Sequence, residues 1–194
     1  MKSQKPIFFS ALVFSVFLIT GCGIFRKMVN FSKCTFYYHS VENVNLAGVS
    51  VKDKKSFSDF SIIDLGKLSA ALISRKMDVT MDVNIEAVNP NAKPAGISRL
   101  EWKLFLDDVE ILSGYTEDKI EIPGSGSQVF PVHIKFDILQ YCHDKESKAV
   151  ANLVLNLMDM GEEESRLKIK LKPSVHVAGV RLAYPGYITI HRSL

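Results

Sequence analysis

Alternation between apolar and polar residues is the main pattern of the chain after its first forty residues. It is clearest at residues 77–87, where apolar side chains at odd positions alternate with polar side chains at even ones. The same period of two recurs at residues 100–106, 130–136 and 167–171. This period places one face of a strand in a core and the other in solvent. With turn signals between the runs, it predicts a mostly β fold, an Ig-like or fibronectin-III-like two-sheet β-sandwich of about seven strands.

Two segments have helical spacing instead. Leu65, Leu68 and Leu72 are three and four residues apart, which predicts a short helix between residues 57 and 74. The one main α-helix is predicted to begin at Asp137, a residue type that caps helix N-termini, and to end at Gly161, which suits a left-handed C-terminal cap. Its apolar positions are Val150, Leu153, Val154 and Leu157. This helix would cover one end or edge of the sandwich.

The N-terminus has the three parts of a cleavable export signal. Lys2 and Lys5 form a charged start, residues 6–19 are mostly apolar, and small residues follow. The apolar stretch is shorter than the ~20 residues that span a bilayer, so it predicts a signal peptide and not a transmembrane helix. Residues 18–22 (LITGC) resemble the lipobox of bacterial lipoproteins, in which the thiol of a cysteine, here Cys22, accepts a diacylglyceryl group.

The lipobox resemblance implies a division of the chain. Residues 1–21 would be removed as the signal peptide, residues 22–40 would be a tether that begins at the lipidated Cys22, and residues 41–194 would form the folded domain. Several acyl chains hold a protein at a membrane almost permanently. Gly23 is not the aspartate that retains many lipoproteins in the inner membrane. The expected location is therefore the outer membrane of a bacterial envelope, facing the periplasm.

Basic residues near the predicted anchor leave two readings. Arg26, Lys27 and Lys33 either bind anionic lipid headgroups or are ordinary charges of a solvated tether. The whole chain has a net charge of +3, and removal of Lys2 and Lys5 would leave it nearly neutral. Nucleic acid is therefore not an expected partner.

The pairing of the cysteines stays open. After lipidation of Cys22, Cys34 and Cys142 would be two thiols in a compartment that permits disulfides. They either form one bridge or remain isolated. Their spacing in the sequence does not decide between these alternatives.

Residues 79–91 (VTMDVNIEAVNPN) resemble the signature stretch of the LEA type 2 family, also called the WHy domain. In that family a long alternating strand leads into an Asn-Pro-Asn turn, here Asn89, Pro90 and Asn91, and a further strand follows. The order of elements is similar over residues 43–190. The resemblance implies a β-sandwich with one helix, a role in stress or desiccation tolerance, and no known active site. Lipobox-bearing members occur in bacterial envelopes, which agrees with Cys22.

No motif in the sequence indicates catalysis, a cofactor or a metal. The histidines form neither HxH nor HExxH, and no GxSxG is present. Residues 124–127 (GSGS) lack the lysine and the following helix of a phosphate loop. Asn89 and Asn91 could bind a ligand, but such side chains more often satisfy backbone groups around a proline. A basic strand face either contacts anionic lipid or glycan or protects an edge strand from pairing; it comprises Lys168, Lys170 and Lys172.

Together these observations predict a non-enzymatic, lipid-anchored envelope protein. Its LEA2/WHy-type module would act through its surface, in stress protection or by binding an envelope partner. The alternative is a periplasmic carrier that holds a lipid or glycan between the sheets or under the helix. An apolar cavity or cleft of ~300 Å³ or more would favour the carrier, and a filled core would favour the surface module.

Overall fold

The computed structural model describes residues 23–141 apart from 53 and 55, residues 152, 155 and 156, and residues 166–193 apart from 178. Within these residues helix α1 covers residues 23–32 and helix α2 covers Ile62–Ile73. Short 3-10 helices span Phe57–Asp59 and Ile138–Tyr141. Eleven strands are present in the same residues: β1 Thr35–Leu46, β2 Val49–Ser50, β3 Asp78–Val88, β4 Ala95–Ile97, β5 Arg99–Leu106, β6 Val109–Thr116, β7 Ile120–Ile122, β8 Ser127–Asp137, β9 Arg166–Val177, β10 Val180–Ala183 and β11 Ile188–Ser193.

The long strands form two antiparallel sheets that share one core. The first sheet has the order β2-β1-β3-β8, and the second has the order β10-β9-β5-β6, with β11 also paired to β9. A small third sheet joins β4 to β7. The pairing of β3 with β8 runs from Asp78↔Asp137 to Val88↔Ser127 without a register shift. This is the mostly β, sandwich-like fold that the alternating pattern predicts.

Side chains from the central strands of both sheets fill the core. Val83 and Ile85 of β3, Leu100 and Leu104 of β5, and Leu171 of β9 have no exposed surface. They belong to one cluster of buried side chains that includes residues of both sheets. Their neighbours along each strand are half-buried, as a period of two requires. The space between the sheets is therefore occupied by the protein itself.

The structure contains more strands than the sequence predicts, because several strands are too short to show an alternation. β2 has two residues, and β4 and β7 have three each. All four residues of β10 are exposed, so that strand has no buried apolar face to detect. β1 begins within the segment predicted as a tether. Register shifts between Tyr38 and Ser40 and between Glu42 and Asn45 interrupt its alternation, so the sequence pattern does not show this strand.

The segment predicted as a tether is part of the folded domain. Residues 23–32 form α1, whose Met28 is 3% exposed and whose Phe31 is fully buried. β1 then begins at Thr35 and pairs with β3 as far as Leu46. The domain boundary expected at residue 41 therefore shifts toward the N-terminus. The physical reason is the three-residue spacing of Met28 and Phe31, which puts both side chains on one face of α1.

The two predicted helices have different outcomes. α2 is confirmed, and Ser61 begins it with a capping box: the Asp64 backbone N–H donates to Ser61 Oγ at 3.1 Å, and the Ser61 N–H donates to Asp64 Oδ2 at 3.0 Å. The helix expected from Asp137 to Gly161 lies mostly outside the described residues. Within them, Ile138–Tyr141 is a 3-10 helix and residues 152, 155 and 156 are helical.

Candidate functional site

The Asn-Pro-Asn turn after β3 is organised around the buried side chain of Asn89. This side chain is 1% exposed, and its amide donates to the carbonyl oxygens of Lys93 at 3.0 Å and Pro123 at 2.9 Å. Its Oδ1 accepts from the Asn91 backbone N–H at 3.0 Å and from the Asn91 side-chain amide at 2.8 Å. One amide therefore joins the turn to the loop after β7. Every polar atom of the Asn89 side chain has a protein partner, and the group is unavailable to a ligand.

Asn91 extends this network to α1. Its side-chain amide also donates to the Asn30 carbonyl oxygen at 3.2 Å, and the Asn30 amide donates to the Pro94 carbonyl oxygen at 3.2 Å. The Cys34 thiol donates to the same Asn30 carbonyl at 3.4 Å. The Asn-Pro-Asn turn thus holds α1, which lies about sixty residues earlier in the sequence. Sequence reasoning missed Asn30, and its only local signal is a polar residue between two apolar core positions.

An open cleft of about 440 Å³ lies beside the first turn of α1. Apolar side chains on its wall come from three elements, with Ile24 on α1, Ile97 on β4 and Val175 on β9. Lys27 and Lys119 both bind Glu121 at its edge, at 2.6 Å and 3.1 Å. The hydrogen bond from Lys27 is the main reason that the pKa of Glu121 is lowered, and Lys119 adds to it. The cleft is larger than the minimum of ~300 Å³ for a carrier site, but it is on the surface and not between the sheets.

A larger cleft, of about 810 Å³, lies at the other end of the sandwich beside α2. Its wall is polar in part and includes Asn45, Lys67, Asp78 and Lys135. Ala71 is the buried residue of α2, while most of the apolar side chains on that helix are exposed. The exposed fractions are 90% for Ile62, 72% for Ile63, 45% for Leu65, 57% for Leu72 and 84% for Ile73.

The basic face of β9 is packed against neighbouring side chains. Lys168 binds Asp108 Oδ1 at 2.5 Å, and the ammonium groups of Lys168 and Lys170 lie 4.8 and 4.9 Å from the centre of the Phe105 ring. β9 is paired on both sides, with β5 on one and with β10 and β11 on the other. Protection of an edge strand is therefore not the role of these lysines. Cation–π contacts with Phe105 on β5 account for the positions of Lys168 and Lys170, and the Lys172 ammonium lies 5.4 Å from the centre of the Tyr187 ring.

Polar groups in the described residues show no converging catalytic set. His133 Nδ1 lies 2.6 Å from Asp82 Oδ1, and the Asn43 amide donates to Asp82 Oδ2 at 2.6 Å, on the solvent face of the first sheet. No group of three or more His, Cys, Asp or Glu side chains within the described ranges is arranged to hold a metal ion. The loop at residues 124–127 leads directly into β8. It therefore offers no helix N-terminus to an anion.

The cysteines are only partly described. Cys34 is a free thiol, 8% exposed, and burial raises its pKa to about 11. A thiol with this pKa reacts slowly, because the thiolate is the nucleophile. Cys142 and the predicted lipidation site Cys22 lie outside the described residues. No helix in the described ranges combines the length and the apolar character that crossing a bilayer requires.

The described part of the chain is thus an antiparallel β-sandwich that α1 and an asparagine network close at one end. No family model and no curated protein matches the sequence. Among solved structures, the crystal structure of a protein from Archaeoglobus fulgidus is similar to it, with 9% identity, a TM-score of 0.38 and coverage of 80% of this chain and 96% of that one. The solution structure of a candidate late embryogenesis abundant (LEA) protein is also similar, with 20% identity, a TM-score of 0.37 and coverage of 95% of this chain and 81% of that one.

Proposed function

We propose that the protein is an envelope lipoprotein whose sandwich domain, of the LEA type 2 or WHy kind, works without catalysis through its surface. The observation that carries the proposal is the distribution of apolar side chains. The core between the sheets is filled, whereas α2 exposes five large apolar side chains to solvent. Several large apolar side chains exposed on one helix are typical of an interaction site. A filled core does not suit a ligand held between the sheets.

The anchor in this proposal is Cys22, acylated and facing the periplasm from the outer membrane. Its support is the lipobox at residues 18–22 and the position of α1. α1 is helical from residue 23 onward and contacts the domain through its buried Met28. Acyl chains on residue 22 would therefore hold the whole sandwich close to the bilayer.

The working surface in this proposal is α2. β1, which is twelve residues long, leads from α1 toward the turn at Gly48, and this turn lines the cleft beside α2. At ~3.4 Å per residue, α2 lies about 40 Å from the anchored end. This position leaves the apolar face of α2 free to meet an envelope partner or, under stress, the exposed apolar surface of another protein.

A second candidate is a lipid or glycan carrier, and the cleft beside α1 favours it. That cleft of about 440 Å³ has apolar walls at Ile24, Ile97 and Val175. Its volume lies in the range of sites that bind small molecules. A passenger would contact the domain at the end nearest the proposed anchor.

Mass spectrometry of the protein from its own host's envelope tests both readings. The proposal expects the N-terminal peptide to begin at Cys22 and to carry acyl chains, and it expects the folded protein to have no further passenger under native conditions. The control is Cys22→Ser, which removes the acceptor thiol and should leave the signal uncleaved. An unmodified Cys22 would refute the anchor, and a retained lipid or glycan would replace the surface module with the carrier.

The role of α2 is tested separately, by survival of the host after drying. The proposal expects deletion of the whole protein to lower survival. Ile63→Gln combined with Ile73→Gln, which removes two exposed apolar side chains, should lower survival to the same extent. Lys67→Gln on the same helix is the matched control, because it changes an exposed polar position. Full survival of the double variant would show that α2 is not the working surface.

A further inference from the structure

α1 has two faces with different surroundings. Met28 and Phe31 point into the core, while Phe25 remains 46% exposed and Arg26 and Lys33 are exposed. Ile24 is 41% exposed at the same end of the helix. An exposed aromatic ring flanked by basic residues is the composition of a helix that lies in a membrane interface.

The charge on this face has one sign. No acidic residue occurs between residues 23 and 41, and the first in the sequence is Glu42. Glu121 reaches this end of the molecule, but Lys27 and Lys119 already bind it. Lys93 adds an exposed positive charge in the loop whose Pro94 carbonyl accepts from Asn30 on α1. Among the residues that the structure describes, none forms a salt bridge with Arg26, Lys33 or Lys93, so these three remain as cations for an external anion.

We propose that the outer face of α1 rests in the headgroup layer of an anionic bilayer, with Phe25 inserted below the phosphates and with Arg26 and Lys33 bound to them. This inference rests on the proposed acylation of Cys22. That residue directly precedes α1, so its acyl chains would bring the first turn of α1, which carries Phe25 and Arg26, against the lipid. Each basic residue at an anionic surface strengthens binding about five-fold. The domain would then stand upright, with α2 directed away from the bilayer.

The test places an indole on α1 and measures its contact with lipid. Phe25→Trp is introduced into the full chain, and the processed protein is reconstituted in vesicles of phosphatidylethanolamine and phosphatidylglycerol with brominated acyl chains. Bromine quenches an indole that reaches the hydrocarbon. Trp102 is the one native tryptophan and is 7% exposed in the core, so it supplies a constant background. We expect Phe25→Trp to lose most of its added fluorescence.

The matched control is Ile63→Trp, which places an indole on an exposed position of α2. Its fluorescence should not change with bromination. Equal quenching at both positions, or quenching at Ile63→Trp alone, would overturn the upright orientation. Lack of quenching at Phe25→Trp on a protein whose Cys22 is acylated would overturn this inference and leave the anchor intact. Lack of acyl mass on Cys22 in the same sample would overturn the anchor and the orientation together.

A charge variant separates headgroup contact from simple proximity. Arg26→Gln combined with Lys33→Gln should reduce quenching of Phe25→Trp on vesicles that contain phosphatidylglycerol, and should have little effect on phosphatidylcholine vesicles. Lys67→Gln combined with Lys76→Gln, at the α2 end, is the control and should change neither. Equal quenching with and without Arg26 and Lys33 would refute their contact with lipid phosphates.

Discussion

Gly114 on β6 pairs with Trp102 on β5, and the indole ring covers the position that a Cβ atom at residue 114 would occupy. Such an atom would lie 2.8 Å from Cε2 of Trp102. The ring is 7% exposed and belongs to the core cluster. A residue without a side chain is therefore required opposite the single tryptophan, because the indole crosses the strand pair at that point.

Gly114→Ala is expected to destabilise the protein by about 1–3 kcal/mol, since the indole must leave its place to admit the methyl group. Gly66→Ala is the matched control. Gly66 lies in α2, and a Cβ atom added there would have no neighbour within 4 Å, so alanine should stabilise the helix by about 0.5–1 kcal/mol. Urea unfolding of the two variants measures both effects. If Gly114→Ala were as stable as Gly66→Ala, the indole would move at no cost in free energy.

Asn89→Ala should cost about 1–3 kcal/mol, because the carbonyl oxygens of Lys93 and Pro123 lose a buried donor. Asn89→Asp keeps an acceptor for Asn91 but places a carboxylate against those carbonyls. It should cost at least as much at neutral pH and less in acid, where the carboxyl becomes neutral. Gln128→Ala, at an exposed position, is the control. Unfolding at two pH values measures the difference, and wild-type stability in Asn89→Asp would contradict the network.

Phe31→Ala is expected to cost about 3–5 kcal/mol, as for other buried phenylalanines. The Phe31 ring lies 5.1 Å from the ring of Phe36 and 6.4 Å from that of Phe130, measured between centroids. Phe25→Ala, in the first turn of α1 where the ring is 46% exposed, should change the stability by less than about 0.5 kcal/mol. Thermal unfolding distinguishes the two. A small effect of Phe31→Ala would show that residues 23–32 do not pack on the domain and act as a tether.

Asp82 should make stability depend on pH in acid. Burial acts to raise its pKa, but hydrogen bonds from Asn43 and His133 and the charge of His133 outweigh it, so the pKa is lowered on folding. The carboxylate therefore stabilises the fold above its unfolded pKa of about 4, and this contribution is lost as the pH falls through the folded value. Asp82→Asn should lower the free energy of unfolding by up to about 1 kcal/mol near neutral pH. It should also make that free energy depend less steeply on pH in acid.

The control for Asp82 is Asp118→Asn, since the Asp118 carboxylate accepts from the hydroxyl of Thr116, two residues away in the sequence. Stability from urea unfolding between about pH 6 and pH 3 provides the comparison. If the free energy of unfolding fell equally steeply in acid for Asp82→Asn and for the wild type, the Asp82–His133 contact would not be formed in solution.

Cys34 should resist alkylation in the folded protein. Its thiol is buried and its pKa is raised to about 11, so little thiolate forms near neutral pH. Iodoacetamide followed by peptide mass spectrometry should leave Cys34 unmodified until guanidinium unfolds the domain. Rapid modification of the native protein would show that the C-terminal end of α1 opens readily.

The elements that the sequence predicts well are those whose own side chains define two faces. β3 is the best case, because each of its inward residues from Val79 to Ala87 is buried. The spacing of its leucines predicts α2, although Leu65 and Leu72 are largely exposed. That spacing identifies a helix, but it does not establish whether another element covers the apolar face.

α1 and the asparagine network could not be predicted in the same way. Met28 and Phe31 give too short a pattern to indicate burial, and they are buried because the end of the sandwich is open to them. The residue types of the Asn-Pro-Asn turn indicate a turn. The bond from Asn91 to Asn30 joins residues that are 61 positions apart, and no local pattern contains that information.

If Cys22 is acylated as proposed, the burial of Met28 and Phe31 also limits how the domain can be released from the membrane. A protease that sheds proteins from a surface needs a stretch of extended, accessible backbone. From residue 23 to residue 46 the backbone is helical or lies in a sheet, apart from a short bend before Thr35 that Cys34 and Asn30 hold by hydrogen bonds. Cleavage there requires the core to open first. The rate at which the domain is released should therefore follow its rate of unfolding, and stabilised variants should be shed more slowly than the wild type.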